Sequence, residues 1–270
     1  MRRPRRWLLF GLVLAVVAAG AAVGINALLS TVVPQSPTCT LGSGPNAAEF
    51  DPEQAADAAT VAAVAKRRGL ANHAVTIALA AAMQESKLFN VGYGDRDSVG
   101  IFQQRPSQGW GTPQQLIQPA YAANAFFSHL EKIPNWQTLP VDQAAQEVQH
   151  SADGSAYAQW EERARSLASA LTGEVPAGLA CRWSDSRTPK GAALTAAAVR
   201  ELGADWAAGG RDAGRDWTVA EWLVTHSYDY GIVAVSARGQ KWTAKSGRWT
   251  ADARAGAAAT YLLAKPPKPS

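Results

Sequence analysis

The sequence predicts a mainly α-helical protein, with one N-terminal transmembrane helix, a helical domain and a small α+β domain at the C-terminal end. Three observations support this fold class. An uncharged, largely apolar run extends from Trp7 to Leu29, alanine-rich helical patterns fill residues 51–171, and short strand-like runs follow residue 182. Hydrophobic residues make up 47% of the 270 residues, which is enough to bury a substantial core.

The N-terminal run is long enough to cross a bilayer, which takes about 20 apolar residues. Four arginines at positions 2, 3, 5 and 6 precede it and predict a cytoplasmic N-terminus. Residues 1–29 are therefore expected to be an uncleaved signal-anchor of a single-pass protein in the cell membrane, with the C-terminal region outside the cytoplasm. A cleaved secretory signal is the alternative, because residues 18–22 are small enough for a cleavage site.

Composition divides the exported part into four segments. We expect a linker rich in Pro, Ser, Thr and Gly at 30–50, a helical domain at 51–181, a small α+β accessory domain at 182–263 and a disordered tail at 264–270. Within the helical domain, apolar periodicity and helix-ending residues predict helices near 51–69, 72–85, 119–132, 141–149 and 156–171.

Charge and cysteine content restrict the class of partner. The N-terminal arginines account for the whole net charge of +4, so the rest of the chain is near neutral and no nucleic-acid partner is expected. The four histidines show no metal-ligand spacing, and no cofactor is expected. Because the protein is expected to be exported, Cys39 and Cys181 are predicted to form a disulfide, with two free thiols as the alternative.

The residues with the clearest chemical meaning lie at the end of the second predicted helix and in the loop after it. Glu85-Ser86 closes an apolar helix, at the end where the helix dipole disfavours a negative charge. Gly100-Ile101-Phe102-Gln103 follows in a glycine-rich region. Cleavage of a glycosidic bond needs an un-ionised carboxylic acid, and apolar surroundings favour that form of a glutamate. Met83, Ile101 and Phe102 are expected to supply such surroundings.

These two motifs, in this order, resemble those of the lysozyme-like soluble lytic transglycosylase family. That family carries Glu-Ser followed by Gly-Leu-Met-Gln or a close variant. A third family element, an asparagine ahead of an aromatic residue and a leucine, is matched by Asn124, Phe127 and Leu130. The resemblance spans about residues 60–171. It implies a lysozyme-like catalytic domain that cuts the β-1,4 bond between MurNAc and GlcNAc in peptidoglycan, with Glu85 as the acid.

The mechanism that follows the proton transfer stays open. Many transglycosylases carry an Ala-Tyr-Asn motif in a later helix, whereas residues 144–149 of this chain contain no tyrosine. A lytic transglycosylase, with one glutamate as acid and then base, and a muramidase are both compatible with the residues. An inverting hydrolase needs a second carboxylate about 6.5–9.5 Å from the acid. Asp97 and Asp95 are the candidates, with turn formation beside Gly94 as their alternative role.

Sugar binding requires flat aromatic faces and planar polar groups. The substrate-binding candidates are Ser86, Gln103, Gln104, Trp110, Tyr121 and Asn124. Local capping is the alternative for Ser86, and structural hydrogen bonding is the alternative for the two glutamines. Tyr157 is a further available aromatic residue, and Trp160 is assigned to the core. A non-catalytic wall-binding or scaffolding protein with a lysozyme-like fold is the alternative function.

Overall fold

The computed structural model describes residues 36–150, 154–210 and 212–266. About half of this part of the chain is helical, and the remainder includes small antiparallel sheets. No helix in the described ranges is long and apolar enough to span a bilayer. The predicted transmembrane segment, residues 7–29, and residues 267–270 of the predicted tail lie outside the described residues.

Helices and strands alternate irregularly along the described part of the chain. The α-helices are α1 (Pro52–Arg67), α2 (Asn72–Ser86), α3 (Pro113–Leu116), α4 (Pro119–Leu130), α5 (Val141–Gln149), α6 (Glu161–Leu171), α7 (Gly191–Leu202), α8 (Ala213–Thr225) and α9 (Ser227–Tyr230). Short 3-10 helices occupy Gly44–Asn46, Pro106–Gln108 and Gly154–Trp160. The strands are β1 (Thr38–Leu41), β2 (Ala48–Phe50), β3 (Leu179–Arg182), β4 (Ile232–Ala237), β5 (Gln240–Thr243), β6 (Arg248–Ala251) and β7 (Thr260–Leu263).

Helix α1 lies at the centre of the fold. Every residue from Ala55 to Ala65 is buried, because α2 and α4 pack on this helix together with α7 and α8. A helix that is apolar around most of its circumference needs this kind of enclosure. Its start is fixed by Pro52 in the first turn and by the Gln54 side chain, which accepts a hydrogen bond from the Asp51 amide at 2.9 Å.

The first sheet joins two distant parts of the chain. It has the order β2-β1-β3, and all its neighbours are antiparallel. Cys39 lies directly opposite Cys181 and forms a disulfide with it, which confirms the predicted bond. This sheet corrects the expectation of a linker over 30–50, because residues 38–50 belong to the folded unit. The partner strand is more than a hundred residues away, so local composition does not reveal the pairing.

The second sheet has the order β6-β5-β4-β7 and is antiparallel throughout. Trp242 on β5 is fully buried, and its indole N–H donates to the carbonyl of Cys181 at 2.9 Å. The described residues from Pro37 onward form one compact unit around a shared hydrophobic cluster. Residues 182–263 therefore share the core around α1, which corrects the expectation of a separate accessory domain. The physical reason is that α7 and α8 bury their apolar faces against α1.

Candidate active site

Glu85 is half-buried in the last turn of α2, where the helix stops sharply. Lys87 and Leu88 both adopt left-handed backbone conformations, with φ values of 58° and 67°. The amides of these two residues donate back to the carbonyls of Met83 and Ala82, at 3.2 Å each. Such a conformation in a residue other than glycine costs on the order of 1 kcal/mol and is found preferentially at functional sites. The buried Leu88 side chain anchors this turn.

A tyrosine hydroxyl contacts the carboxylate of Glu85. Tyr157 is fully buried in the 3-10 helix Gly154–Trp160, and its hydroxyl donates to Glu85 Oε1 at 2.7 Å. Residues 144–149, where the family's tyrosine motif was sought, contain no tyrosine, and the hydroxyl beside Glu85 comes instead from a residue further along the chain. Tyr157 is separated from Glu85 by 72 positions, so no local sequence signal indicates the contact.

The structure brings the two sequence motifs together. The Ser86 hydroxyl donates to the carbonyl of Ile101 at 2.7 Å, with the carbonyl of Ala82 as a second acceptor at 3.2 Å. Ser86 thus joins the end of α2 to the loop that carries the second motif. This contact matches the local structural role that was the alternative for Ser86, and it engages the hydroxyl proton with backbone oxygen.

The loop of the second motif is a tight turn. Val99 and Gln104 pair as an antiparallel bridge through two 3.1 Å hydrogen bonds between their main chains. Gly100 between them has a φ of 80°, which favours glycine, and its amide donates to the Val91 carbonyl at 2.7 Å. Ile101 and Phe102 at the tip are fully buried, and Met83 on α2 is also buried. The apolar residues expected near Glu85 are thus part of the buried core.

The two glutamines of the loop make structural hydrogen bonds. The Gln103 side chain donates to the carbonyls of Gly100 and Tyr93, at 3.1 and 3.3 Å. The Gln104 side chain is buried and donates to the carbonyl of Ala122 at 3.2 Å. These contacts match the structural alternative that the sequence left open for both residues.

Two further side chains, Gln149 and Trp160, donate hydrogen bonds to residues next to Glu85 or in the loop of the second motif. The Gln149 side chain donates to the carbonyl of Phe102 at 2.8 Å, which fixes the loop from α5. The Trp160 indole N–H donates to Gln84 Oε1 at 2.8 Å, one residue before Glu85. Trp160 is only half-buried, so its assignment to the core holds in part.

The candidate second carboxylates have different environments. Asp97 accepts hydrogen bonds from the Arg105 guanidinium at 2.8 Å and from the amide and hydroxyl of Ser107, at 2.7 and 3.0 Å. The Arg105 contact, followed by those of Ser107, holds the pKa of Asp97 well below its usual range. Asp95 is exposed, and its nearest cationic partner is Arg96 at 3.9 Å. Asp97 thus has the environment of a turn-forming aspartate.

The remaining substrate-binding candidates lie on and around α4. The Trp110 ring packs against the His129 ring, with centroids 4.0 Å apart, and its carbonyl accepts a 3.4 Å hydrogen bond from the Tyr121 hydroxyl. Asn124 lies in the middle of α4, where its side chain donates to Ala120 and accepts from Arg68 at 3.1 Å. Trp110 is half-buried and leaves part of its surface accessible, whereas the polar atoms of Asn124 are engaged within the protein.

No group of His, Cys, Asp and Glu side chains among the described residues is placed to hold a metal ion. Glu85 presents a half-buried carboxyl group that accepts a hydrogen bond from a tyrosine, at a helix end held by backbone hydrogen bonds. Such a group is suited to transfer a proton to a bound substrate. In comparisons with known proteins, no family model and no curated protein matches this chain.

Proposed function

We propose that this protein cleaves the glycan strands of peptidoglycan at the β-1,4 bond between MurNAc and GlcNAc, with Glu85 as general acid. The 2.7 Å hydrogen bond from the Tyr157 hydroxyl to the Glu85 carboxylate carries the proposal. A glutamate with only a surface role at a helix end is not expected to accept a hydrogen bond from a fully buried tyrosine. The Ser86–Ile101 hydrogen bond supports the proposal further, because it holds the two motifs of the resemblance side by side.

The geometry favours lytic transglycosylation over inverting hydrolysis. Tyr157 occupies Glu85 Oε1, which leaves Oε2 to carry the proton that passes to the leaving glycosidic oxygen. The resulting carboxylate then takes the proton of the sugar's C6 hydroxyl as that oxygen attacks C1, and a 1,6-anhydro end forms. This path needs no second carboxylate. Asp97, whose oxygens already accept three hydrogen bonds from Arg105 and Ser107, is a poor base for activating water.

Product analysis tests this proposal. Purified peptidoglycan is digested with the protein, and the soluble fragments are identified by mass spectrometry. Fragments with 1,6-anhydro ends are expected. Fragments with reducing ends would replace the transglycosylase mechanism by hydrolysis and would make Asp95 and Asp97 the carboxylates to mutate. The absence of any soluble fragment, together with retained binding to the wall, would favour the scaffolding alternative.

A further inference from the structure

A group of cations lies where the chain enters the folded unit. Thr38, the first residue of β1, is paired in register with Arg182, the last residue of β3. The turn between β5 and β6 packs on Arg182, because a methyl group at Gly247 would lie only 2.5 Å from Arg182 Cβ. Lys245 in this turn and Arg248 at the start of β6 therefore lie at the same end of the sheets as Arg182.

A fourth cation lies at this end as well. The amides of Ala244 and Ala264 donate to the carbonyls of Val233 and Gly231, at 3.0 and 2.7 Å, and both carbonyls lie at the start of β4. The residue that follows each of these two alanines is an exposed lysine. The four cations at this end of the sheets, called the basic end below, are Arg182, Lys245, Arg248 and Lys265.

The cations of the basic end have no partner within the described part of the chain. Their side chains form neither an ion pair nor a hydrogen bond with another described residue. Other arginines around the second sheet are neutralised. Arg187, in the segment after β3, is paired with Asp185 at 3.6 Å. Arg238, at the other end of β4, is paired with Asp216 at 2.6 Å. Unpaired cations gathered at one end form an electropositive surface that suits an anionic partner.

The position of this end in the chain indicates which anionic partner it meets. Residues 7–29 are predicted to insert in the membrane, and only eight residues, 30–37, connect them to β1. Eight fully extended residues span at most about 29 Å, so the predicted anchor keeps the start of β1 within that distance of the bilayer surface. Anionic lipid headgroups attract Lys and Arg side chains next to a membrane-spanning segment.

We propose that the basic end contacts the phosphate groups of anionic lipids in the membrane that holds the predicted anchor. The inference goes beyond the proposed function and rests on the anchor prediction, not on glycan cleavage. Four cations that approach one lipid surface, together with the short connection, restrict the directions in which the folded unit can point. The contact therefore orients the candidate active site with respect to the membrane.

Lysine labelling in lipid discs tests this contact. The full-length protein is placed in discs of phosphatidylcholine alone or of phosphatidylcholine with phosphatidylglycerol, and mass spectrometry gives the rate at which an amine-reactive reagent labels each lysine. An ammonium group beside anionic lipid gives up its proton less readily. Lys245 and Lys265 should therefore be labelled about fivefold more slowly in the anionic discs, which corresponds to about 1 kcal/mol for each cation. At about 1 M salt, where the screening length falls to about 3 Å, the difference should vanish.

Matched double variants identify the cations responsible. Lys245→Gln/Arg248→Gln removes two charges of the basic end and should bring the labelling of Lys265 in anionic discs at least about twofold closer to its rate in neutral discs. Arg67→Gln/Lys132→Gln removes the same charge from exposed, unpaired residues and should leave Lys265 as in the wild type.

The control residues lie at the other end of α1. Arg67 is its last residue, and Lys132 follows Glu131, whose carboxylate binds Arg68 just beyond that helix. Helix α1 has 16 residues, a length of about 24 Å, which exceeds the screening length of about 10 Å at 0.1 M salt. Lys132 should therefore be labelled at the same rate in both kinds of disc.

Three results would overturn the inference. One is equal labelling of Lys245 in both kinds of disc, and another is equal slowing of Lys132 and Lys245, because the contact would then not be specific to the basic end. Slowing of Lys245 by soluble poly(glycerol phosphate), without slowing in anionic discs, would assign the surface to a wall polymer instead. Failure of the chain to enter either disc would overturn the anchor prediction and this inference together, and it would leave the test of glycan cleavage unaffected.

Discussion

Removing one oxygen atom from Tyr157 tests the role of this residue beside Glu85. Tyr157→Phe keeps the buried ring and deletes the hydroxyl that donates to Glu85 at 2.7 Å. A hydrogen bond to a charged group contributes about 1.5–3 kcal/mol, and about 1.4 kcal/mol corresponds to a tenfold change in rate. Because Glu85 is half-buried, water can replace the hydroxyl in part, so the lower end of this range applies. We expect kcat on peptidoglycan to fall about tenfold.

The assay follows release of soluble glycan fragments, and unfolding by denaturant is measured on the same samples. The free energy of unfolding should fall by no more than about 1.5 kcal/mol, the lower end of the same range, since the ring remains packed. Tyr228→Phe is the matched control, because the Tyr228 hydroxyl also donates to a carboxylate, that of Asp185 at 3.3 Å, but outside the candidate active site. Equal activity of Tyr157→Phe and the wild type would refute the assigned role of this hydroxyl.

Three further predictions concern stability and the loop. Reducing the disulfide, whose cysteines are 142 residues apart, should lower the free energy of unfolding by up to about 5 kcal/mol in denaturant titrations; no change would show that the loop it closes is already ordered in the unfolded chain. Burial, followed by neighbouring carboxylates, raises the pKa of Asp57, so the folded protein keeps a proton that the unfolded chain releases above about pH 4, and stability falls as pH rises. Asp57→Asn should therefore unfold at higher denaturant concentration than the wild type at pH 7 and at the same concentration at pH 4; the reverse order would contradict the assignment. Gly100→Ala should cost at least about 2 kcal/mol and abolish cleavage, because its methyl group would overlap the Leu116 carbonyl oxygen at a positive φ; wild-type thermal unfolding would show that the loop adapts.

The helices were predictable because their signals are local. The pattern of alanines and larger apolar residues, with Pro52 and Gly69 at the two ends of the first helix, defines α1 to within two residues. The strands β1 and β2 were not predictable in the same way. Each is short and lies in a polar segment; β2 pairs with β1, and β1 pairs in turn with the distant β3. Long-range pairing of this kind leaves no periodicity in the local sequence.

Local sequence patterns also do not predict that the two expected domains share one core. Residues 172–178 interrupt the helical pattern and suggest a domain boundary. In the folded chain, this segment packs closely on the start of α8, and a methyl group at Gly173 would overlap the Gly214 carbonyl. The interruption of the pattern therefore marks a tight turn inside one unit. Which helices share a core depends on their mutual packing, and that is set by side-chain shape across the whole chain.

The sequence predicts those parts of the candidate site that are short motifs of consecutive residues. Glu85-Ser86 and the loop around Gly100 stand close together, and the Ser86–Ile101 contact joins them. Tyr157 was counted only among the available aromatic residues, because its contact with Glu85 spans 72 positions. Asp97 could not be distinguished from a second catalytic carboxylate until its contacts with Arg105 and Ser107 were seen.

Replacement of the proposed acid tests the account most directly. Glu85→Gln keeps the shape of the side chain and removes its acidic proton, whereas Glu147→Gln makes the same change at an exposed position on α5. General acid catalysis typically contributes about 10²–10⁴-fold, so release of anhydro fragments by Glu85→Gln should fall by at least that order while the fold persists. Glu147→Gln should cleave like the wild type. Wild-type rates of glycan cleavage by a folded Glu85→Gln variant would contradict the central claim.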